Sequence, residues 1–257
     1  MSYLSLNGKV SLITGSGQGI GKAIALAFAK EGSDIIVNVR KSIGNAESTA
    51  KEIRDLGRQV LVCKADVTNS EEVRDMVEST IKSFGKIDIL VNNPGPSIRK
   101  PFEEITEEEW KNVVNVNLNG VFICSLLAGK KMISQKGGNI INIASASAHR
   151  CLPLGGAYGP AKAAVVSLTK QLALEWAKHN IKVNGISPGP VMTKPSEVAL
   201  LNDELKRRIN NIPMSRTATP NEIANVAVFL ASNKSSYITG QTIIVDGGGS
   251  ETWYLFP

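Results

Sequence analysis

The feature that most constrains this sequence is a regular alternation of short β-rich runs with longer helical patterns. Most of the β-rich runs are continuously apolar, as parallel strands are when both faces of their sheet are covered. Seven runs are predicted strands: Val10–Thr14, Asp34–Val39, Gln59–Lys64, Ile87–Asn92, Asn139–Ile143, Lys182–Ile186 and Thr242–Val245. Six segments are predicted helices: Gly19–Lys30, Asn45–Leu56, Ser70–Phe84, Thr106–Gln135, Ala157–Lys178 and Pro220–Ala231. This order predicts an α/β fold in which residues 1–257 form a single domain around one doubly wound, parallel, seven-stranded sheet with helices on both faces.

Capping residues support these helix boundaries. Asn69, Thr106 and Thr219 precede acidic first turns, as N-terminal caps commonly do. Gly32, Gly57 and Gly85 fall just past predicted helix ends, where a left-handed residue is favoured.

Charge and composition exclude several classes of function. The net charge is only +6 and the longest basic run is residues 206–208, so we expect no nucleic-acid partner. Three cysteines without a CxxC spacing and only two histidines argue against disulfides and against a metal site. The N-terminus lacks a signal-peptide pattern, and we find no run near the ~20 apolar residues of a membrane span. We therefore expect a soluble, cytoplasmic protein.

A glycine cluster joins the first predicted strand to the first predicted helix. Gly15, Gly19 and Gly21 allow a tight turn, and Gln18 and Ile20 lie between them. A helix that begins after such a turn offers unpaired N–H groups and a positive dipole end to a pyrophosphate. The cluster therefore predicts a dinucleotide site.

The glycine spacing and later motifs resemble the short-chain dehydrogenase/reductase family over residues 6–249. The matching motifs, in order, are TGxxxGxG at residues 14–21, Asp66-Val67, Asn92-Asn93-Pro94-Gly95, Asn117, Ser145, the YxxxK pair Tyr158 and Lys162, and Pro188-Gly189 with Thr193. The resemblance implies a Rossmann fold and a dinucleotide-dependent oxidoreductase. It also implies tetramers built on the helices predicted at 106–135 and 157–178.

Catalytic roles follow from the resemblance and have physical support. Tyr158 and Lys162 are four residues apart and share one helix face. A free tyrosine has a pKa of ~10 and is a poor base at neutral pH, so we expect the Lys162 ammonium and an oxidised nicotinamide to lower that pKa. Ser145 would hydrogen-bond the substrate oxygen, and Asn117 would hold a water in a proton relay.

Cofactor contacts are implied at the family positions. They are Gly15, Gln18, Gly19, Ile20, Gly21, Arg40, Asp66, Val67, Asn93, Tyr158, Lys162, Pro188, Gly189 and Thr193. An acidic residue about 20 positions after the glycines would bind the ribose of NAD, but Val39 and Arg40 occupy that place. A guanidinium pairs well with phosphate, so we predict that NADP(H) is preferred over NAD(H).

Some positions depart from the family pattern or leave alternatives open. Pro94 replaces alanine and removes a backbone donor, and Pro160 is tolerated only if the catalytic helix begins at about Ala157. His149 and Cys151 either line the substrate pocket or simply pack.

Two segments lie outside the strand and helix pattern. Residues 188–213 hold four prolines around a polar stretch, which predicts a substrate lid. The aromatic segment at 253–256 is expected to pack either on a neighbouring subunit or on its own.

Three functions remain open. The first is reduction of a ketone of the 3-oxoacyl type to a secondary alcohol, with a small-molecule substrate and Tyr158 as acid/base. The second is a sugar or polyol dehydrogenase of the glucose or gluconate type. The third, a non-catalytic dinucleotide-binding regulator, is disfavoured because Tyr158 and Lys162 are both present. An apolar stripe on the predicted helix 157–178 favours a homotetramer; it comprises Ala161, Val165, Leu168, Leu172 and Trp176.

Overall fold

Seven parallel strands form one sheet in a computed structural model that describes residues 4–93, 95, 97–193 and 209–251. The strands are β1 (Val10–Ile13), β2 (Asp34–Val39), β3 (Val60–Lys64), β4 (Ile89–Asn92), β5 (Gly138–Ile143), β6 (Ile181–Pro188) and β7 (Thr242–Val245). Their order across the sheet is β3-β2-β1-β4-β5-β6-β7. The chain therefore adds strands outward in one direction from β1 and in the other from β4, which confirms the doubly wound prediction and creates a crevice at the carboxyl ends of these two strands.

Helices cover both faces of the sheet. They are α1 (Gly19–Lys30), α2 (Ile43–Asp55), α3 (Ser70–Phe84), α4 (Glu107–Val114), α5 (Gly120–Ser134), α6 (Tyr158–Trp176) and α7 (Pro220–Ala231). The bounds of α1, α3 and α7 are those predicted. The caps explain much of this agreement: Asn69 accepts hydrogen bonds from Glu71 N and Glu72 N, and Thr219 forms a capping box with Glu222.

The region predicted as one helix over Thr106–Gln135 is interrupted. A π-helical turn, Asn115–Asn119, separates α4 from α5. Such a turn inserts one residue into the hydrogen-bond ladder and rotates the side chains that follow it, and it is often found at functional sites.

Two apolar clusters flank the sheet, one on each face. Ile13 belongs to the cluster with Phe28 of α1 and Ile223 of α7. Its neighbour Leu12 belongs to the other cluster, with Val73 of α3. Successive residues of one strand thus anchor opposite helix layers, as the continuously apolar strands predicted.

Among the described residues, one helical run, counted through its π-helical turn, has the length and hydropathy that a membrane span would need. It is Glu107–Ser134, with a mean hydropathy of 1.3, and 56% of its most apolar window is buried inside the fold. This differs from our expectation that no stretch would come near such a span. Packing of α5 on the sheet accounts for its apolar character.

Three predictions fall partly or wholly outside the described residues. They concern Pro94, most of the proposed lid (194–208) and the aromatic segment (252–257).

Candidate active site

The glycine turn between β1 and α1 is closed by atoms that leave no room for side chains. Gly15 and Gly19 have φ of 60° and 57°, in the region that favours glycine. A Cβ at Gly15 would lie 2.8 Å from Asn93 O, and one at Gly21 would collide with Gly15 O. The N–H groups at the N-terminus of α1 are suited to bind an anion. Gln18 is the N-cap residue of α1 and has an extended backbone conformation.

Thr193 lies across this turn from Gly19. A Cβ at Gly19 would be 3.4 Å from the Thr193 methyl carbon. The segment that carries Thr193 leaves β6 at Pro188 and is held where Gly189 N donates to Val245 O at 2.9 Å. The structure thus brings together two family positions that are more than 170 residues apart in sequence.

Hydrogen bonds connect the glycine turn to the neighbouring strands. Asn93 N donates to Thr14 Oγ1 at 2.9 Å, and Asn93 Nδ2 donates to Gly15 O at 3.2 Å. Asn38, at the carboxyl end of β2, accepts from Gly15 N at 3.3 Å and donates to Ala65 O at 3.0 Å. Asn38 was not predicted as a site residue, because its partners are known only once the strand order is known.

A small cavity of about 160 Å³ lies at the end of β2, beside the glycine turn. Arg40 lines it, with Lys41 and Ser42 next in sequence and Gln18 from the turn. An Arg40 Nη1 atom lies 3.7 Å from Asp66 Oδ2, so the two predicted contacts face each other. Lys41 and Ser42 were missed by the sequence analysis, which stopped at the first cation after the strand.

Asp66 and Val67 are fixed by the loop after β3. Asp66 Oδ1 accepts from Thr68 N at 2.9 Å and from Thr68 Oγ1 at 2.8 Å. Val67 packs against Gly120, where a Cβ would lie 2.7 Å from Val67 Cγ2. The first residue of α5 therefore sets the position of Val67.

Tyr158, Ser145 and Lys162 meet above the end of β5. The Tyr158 and Ser145 side chains are hydrogen-bonded. Lys162 Nζ lies 5.3 Å from the centroid of the Tyr158 ring and donates to Ile143 O at 2.9 Å. Because α6 begins at Tyr158, Pro160 falls in its first turn, where proline is tolerated.

Burial shifts the pKa values of this pair in opposite directions. Lys162 is 1% exposed, and burial lowers the pKa of its ammonium from 10.5 to about 7. Burial also raises the pKa of Tyr158, while the hydrogen bond with Ser145 lowers it by less. In the protein without dinucleotide, desolvation thus outweighs the hydrogen bond from Ser145, so the lowering of the Tyr158 pKa that we expect would require the positive nicotinamide ring.

Asn117 is buried in the π-helical turn, which packs against α6. Its Nδ2 donates to Val113 O at 3.0 Å. The predicted catalytic asparagine therefore sits where the helix geometry is irregular.

A pocket of about 430 Å³ opens beside Tyr158. Leu152, Pro153 and Leu154 form one wall, and Ile98 and Phe102 line another part. Two cations, Arg99 and Lys100, also line the pocket, and Lys100 is paired with Glu109 at 2.6 Å.

The structure separates the two residues whose role was left open. Cys151 lines the pocket and is exposed. His149 instead hydrogen-bonds the buried Ser187, with 2.9 Å between Nε2 and Oγ. His149 therefore joins the loop after β5 to the end of β6.

Comparison with known proteins decides the family. The sequence model of a family described as enoyl-(acyl-carrier-protein) reductase matches residues 15–250. The 3-oxoacyl-(acyl-carrier-protein) reductase FabG of Staphylococcus aureus (strain Mu50) is 39% identical over 241 residues, which are 93% of this chain and 97% of that protein. A solved short-chain type dehydrogenase/reductase from Mycobacterium marinum is 37% identical, with a TM-score of 0.88, and the match covers 97% of this chain and 99% of that one. The chain belongs to the short-chain dehydrogenase/reductase family.

Another solved relative of this short-chain dehydrogenase/reductase is named for a sugar acid. It is a gluconate 5-dehydrogenase from Burkholderia cenocepacia in complex with NADP and tartrate. It is 33% identical with a TM-score of 0.91, and the match covers 97% of this chain and 98% of that one. The protein is therefore an oxidoreductase of this family, similar both to 3-oxoacyl reductases and to a sugar-acid dehydrogenase.

Proposed function

We propose that this oxidoreductase interconverts a 3-oxoacyl-type ketone and a secondary alcohol, with NADP(H) as its cofactor and Tyr158 as its acid/base. The observation that carries the proposal is the hydrogen-bonded pair of Tyr158 and Ser145, backed by Lys162 and open to a pocket with apolar walls.

The dinucleotide would lie across the carboxyl ends of the strands, from β3 and β2 on one side of β1 to β6 on the other. The turn Gly15–Gly21 packs too closely on Asn93 and on itself to admit a Cβ at Gly15 or Gly21, and the N-terminus of α1 that follows it would face the pyrophosphate, with Thr193 across from Gly19. Asp66 and Val67 would contact the adenine, and Pro188 and Gly189 the nicotinamide. When bound, the reduced cofactor supplies the hydride that adds to the carbonyl carbon.

This chain's residues would handle the oxygen and its proton. Ser145 and Tyr158 hydrogen-bond the carbonyl oxygen and stabilise the negative charge that develops on it. The Tyr158 O–H bond breaks as its proton moves to that oxygen, which leaves a phenolate and a secondary alcohol. Lys162 stabilises the phenolate, and Asn117 orients the relay that returns a proton to Tyr158.

Preference for NADP rests on the cavity at the end of β2. Its lining carries two cations, Arg40 and Lys41, and the hydroxyl of Ser42. A 2′-phosphate placed there would receive charge-assisted hydrogen bonds. The neighbouring Asp66 already neutralises part of the Arg40 charge, so Lys41 adds to the preference.

The walls of the substrate pocket favour an acyl chain over a polyol. Leu152 and Leu154 are each 44% exposed and Phe102 is 68% exposed, so apolar surface faces the pocket. A sugar would leave several hydroxyl groups without partners against such a wall, which is costly. Arg99 favours an anionic group at the far end of the substrate, which either an acyl thioester carrier or a sugar acid would provide.

A substrate panel tests the proposal. Short 3-oxoacyl thioesters, simple ketones, 5-ketogluconate and gluconate would each be assayed with both cofactors, by absorbance of the reduced nicotinamide. We expect the highest kcat/KM for a 3-oxoacyl thioester with NADPH. A higher kcat/KM for gluconate or 5-ketogluconate would contradict the acyl proposal and support the sugar-acid alternative.

A variant of the pocket wall tests where the acyl chain binds. Leu152→Ser should lower kcat/KM for a 3-oxoacyl thioester more than for acetone, because only the longer substrate reaches this wall. Leu56→Ser, a change at a similarly exposed leucine far from the pocket, is the control. If Leu152→Ser and Leu56→Ser changed kcat/KM for the thioester equally, the proposed placement of the acyl chain against Leu152 would be contradicted.

A further inference from the structure

A second pocket, which we call the basal pocket, lies on the edge of the sheet opposite to the candidate active site. It encloses about 380 Å³ and its lining is mainly polar. Lys9 and Asp88 precede β1 and β4, and Asn139 and Lys182 lie at the start of β5 and β6. Because parallel strands all begin at the same edge, four separate segments bring their side chains to this pocket.

Three ammonium groups and one carboxylate line the basal pocket. Asp88 accepts from Lys9 Nζ at 3.3 Å and lies 3.0 Å from Lys86 Nζ, and its second oxygen also accepts from Val10 N at 2.9 Å. Lys182 Nζ donates only weakly, to Ser232 O at 3.4 Å and to Ser235 Oγ at 3.3 Å. Within the described parts of the chain, Lys182 has no carboxylate at ion-pair distance, so the lining carries a net charge of about +2.

Lys9 and Lys182 both line this pocket, and the charge of one acts on the other. Burial lowers the pKa of Lys182, and the nearby charge of Lys9 lowers it further. Two ammonium groups that repel each other are stabilised when an anion binds between them. A bound anion would therefore relieve an unfavourable interaction that the protein has on its own.

Asn139 forms part of the pocket wall. Its side chain is 4% exposed, and its Nδ2 donates to Leu230 O at 2.7 Å. Its Oδ1 accepts no hydrogen bond from any described residue, although it is buried. Asn139 is also the register partner of Lys182 on the adjacent strand.

We propose that the basal pocket binds a small phosphate-bearing anion, either inorganic phosphate or a phosphate monoester of a hydroxylated compound. A phosphate dianion matches the net charge of the lining, and the hydroxyl groups of an ester suit its other polar side chains, which are Gln135, Asn180, Asn233 and Ser236. The volume fits a ligand of this size. The pocket is separate from the dinucleotide site, because the strand ends that form it are at the opposite edge of the sheet.

Phosphate binding to the NADP-saturated protein tests this site. Saturation with NADP occupies the phosphate contacts of the dinucleotide site, and chloride keeps the ionic strength constant. Inorganic phosphate and glycerol 3-phosphate would be titrated separately, with ³¹P NMR linewidth and Tm as readouts. We expect saturable binding of at least one of them at millimolar concentration, and the pair of titrations distinguishes the free ion from the ester.

Three variants locate the binding. Lys182→Met should weaken binding at least about tenfold, which is the loss of one charge-assisted contact. Lys86→Met, at a half-exposed lysine, provides the same test if Lys182→Met does not fold. Lys51→Met removes an exposed lysine of α2 and should leave binding unchanged.

Two results would overturn the proposal. One is the absence of saturable binding of either anion to the wild-type protein. The other is binding that does not depend on the pocket lysines. Equal binding by wild type, Lys182→Met and Lys86→Met would place the anion elsewhere, and an equal loss in Lys51→Met would show that the anion responds only to overall charge.

Discussion

At the scale of single residues, Tyr158 and Lys162 illustrate how one cause acts on two groups. Burial favours the neutral form of each, so it raises the pKa of the phenol and lowers that of the ammonium. In the protein without cofactor, Tyr158 therefore keeps its phenolic proton at neutral pH. A positive nicotinamide ring would favour the phenolate, which makes proton release depend on the bound cofactor.

Replacing Tyr158 tests the acid/base assignment. Tyr158→Phe should lower kcat by about 10²- to 10⁴-fold, the usual contribution of a general acid. NADPH affinity, measured by nicotinamide fluorescence, should change little because the ring remains. Tyr237→Phe, at a fully exposed tyrosine, is the control and should retain full activity. A Tyr158→Phe rate above about a tenth of wild type would exclude Tyr158 as the acid.

The pKa of Lys162 predicts a pH dependence of stability. Its pKa falls from 10.5 in the unfolded chain to about 7 in the fold. Between these values the unfolded chain binds more protons than the folded protein, so the free energy of unfolding rises with pH. Below about pH 7 both states are protonated, and the cost of burying the ammonium is then at its full value.

The contribution of Lys162 can be isolated by subtraction. Urea unfolding of wild type and Lys162→Met, without dinucleotide, should give a stability difference that grows in favour of wild type from pH 7 to pH 9.5. The slope should not exceed about 1.4 kcal/mol per pH unit. Lys170→Met, at an exposed lysine of the same helix, should show no such slope. A difference that stays flat or shrinks as the pH rises would contradict the lowered pKa.

Arg40 carries the prediction on cofactor choice. Arg40→Ala should lower the NADPH/NADH ratio of kcat/KM by about 10- to 100-fold, as expected for loss of a charge-assisted hydrogen bond to phosphate. Arg54→Ala removes another exposed arginine that is 3.7 Å from a carboxylate, and the ratio should not move. An unchanged ratio in Arg40→Ala would show that Arg40 is not the phosphate anchor.

At the scale of elements, one glycine couples α5 to the loop after β3, where we propose that the adenine binds. Gly120 is helical, so alanine would fit its backbone, yet the added Cβ would lie 2.7 Å from Val67 Cγ2. We expect Gly120→Ala to lower the free energy of unfolding by about 1–3 kcal/mol, as overpacking does, and to raise the KM for NADPH. Urea unfolding and steady-state kinetics would measure both effects.

Two further variants control this prediction. Gly44 lies in α2 with nothing near its missing Cβ, so Gly44→Ala should stabilise the protein by about 0.4–1 kcal/mol. Adding Val67→Ala to Gly120→Ala should restore part of the lost stability, because the clash partner is gone. If Gly120→Ala behaves like Gly44→Ala, α5 does not set the position of Val67.

The sequence predicted the bounds of an element best where capping residues and glycines define its ends. Caps and glycines fixed both ends of α3, with Asn69 before it and left-handed Gly85 after it. The π-helical turn at Asn115–Asn119 was missed, because a shift from i+4 to i+5 hydrogen bonding has no clear signature in residue type. The partners of Asn38 and of His149 were missed for another reason: each bond joins segments that meet only through the strand order.

At the scale of the whole molecule, the apolar stripe of α6 belongs to the subunit's own core. Ala161 and Val165 are buried, and Leu168 packs with Val165. Leu172 and Trp176 pack against the apolar cluster that contains Leu12. The stripe therefore does not support the predicted tetramer. Two other residues leave apolar surface exposed on the same helices: Leu174 of α6 is 78% exposed and Phe122 of α5 is 49% exposed.

The homotetramer remains a prediction that these exposed residues make testable. Light scattering of the wild type should give a particle of about four times the 27.4 kDa chain mass. Leu174→Lys should shift the protein toward smaller particles, because a buried, unpaired ammonium in an interface is costly. Leu56→Lys, at a 40% exposed leucine just after α2, should leave the mass unchanged. A wild-type particle of one chain mass, or the same mass shift in both variants, would contradict an assembly built on α5 and α6.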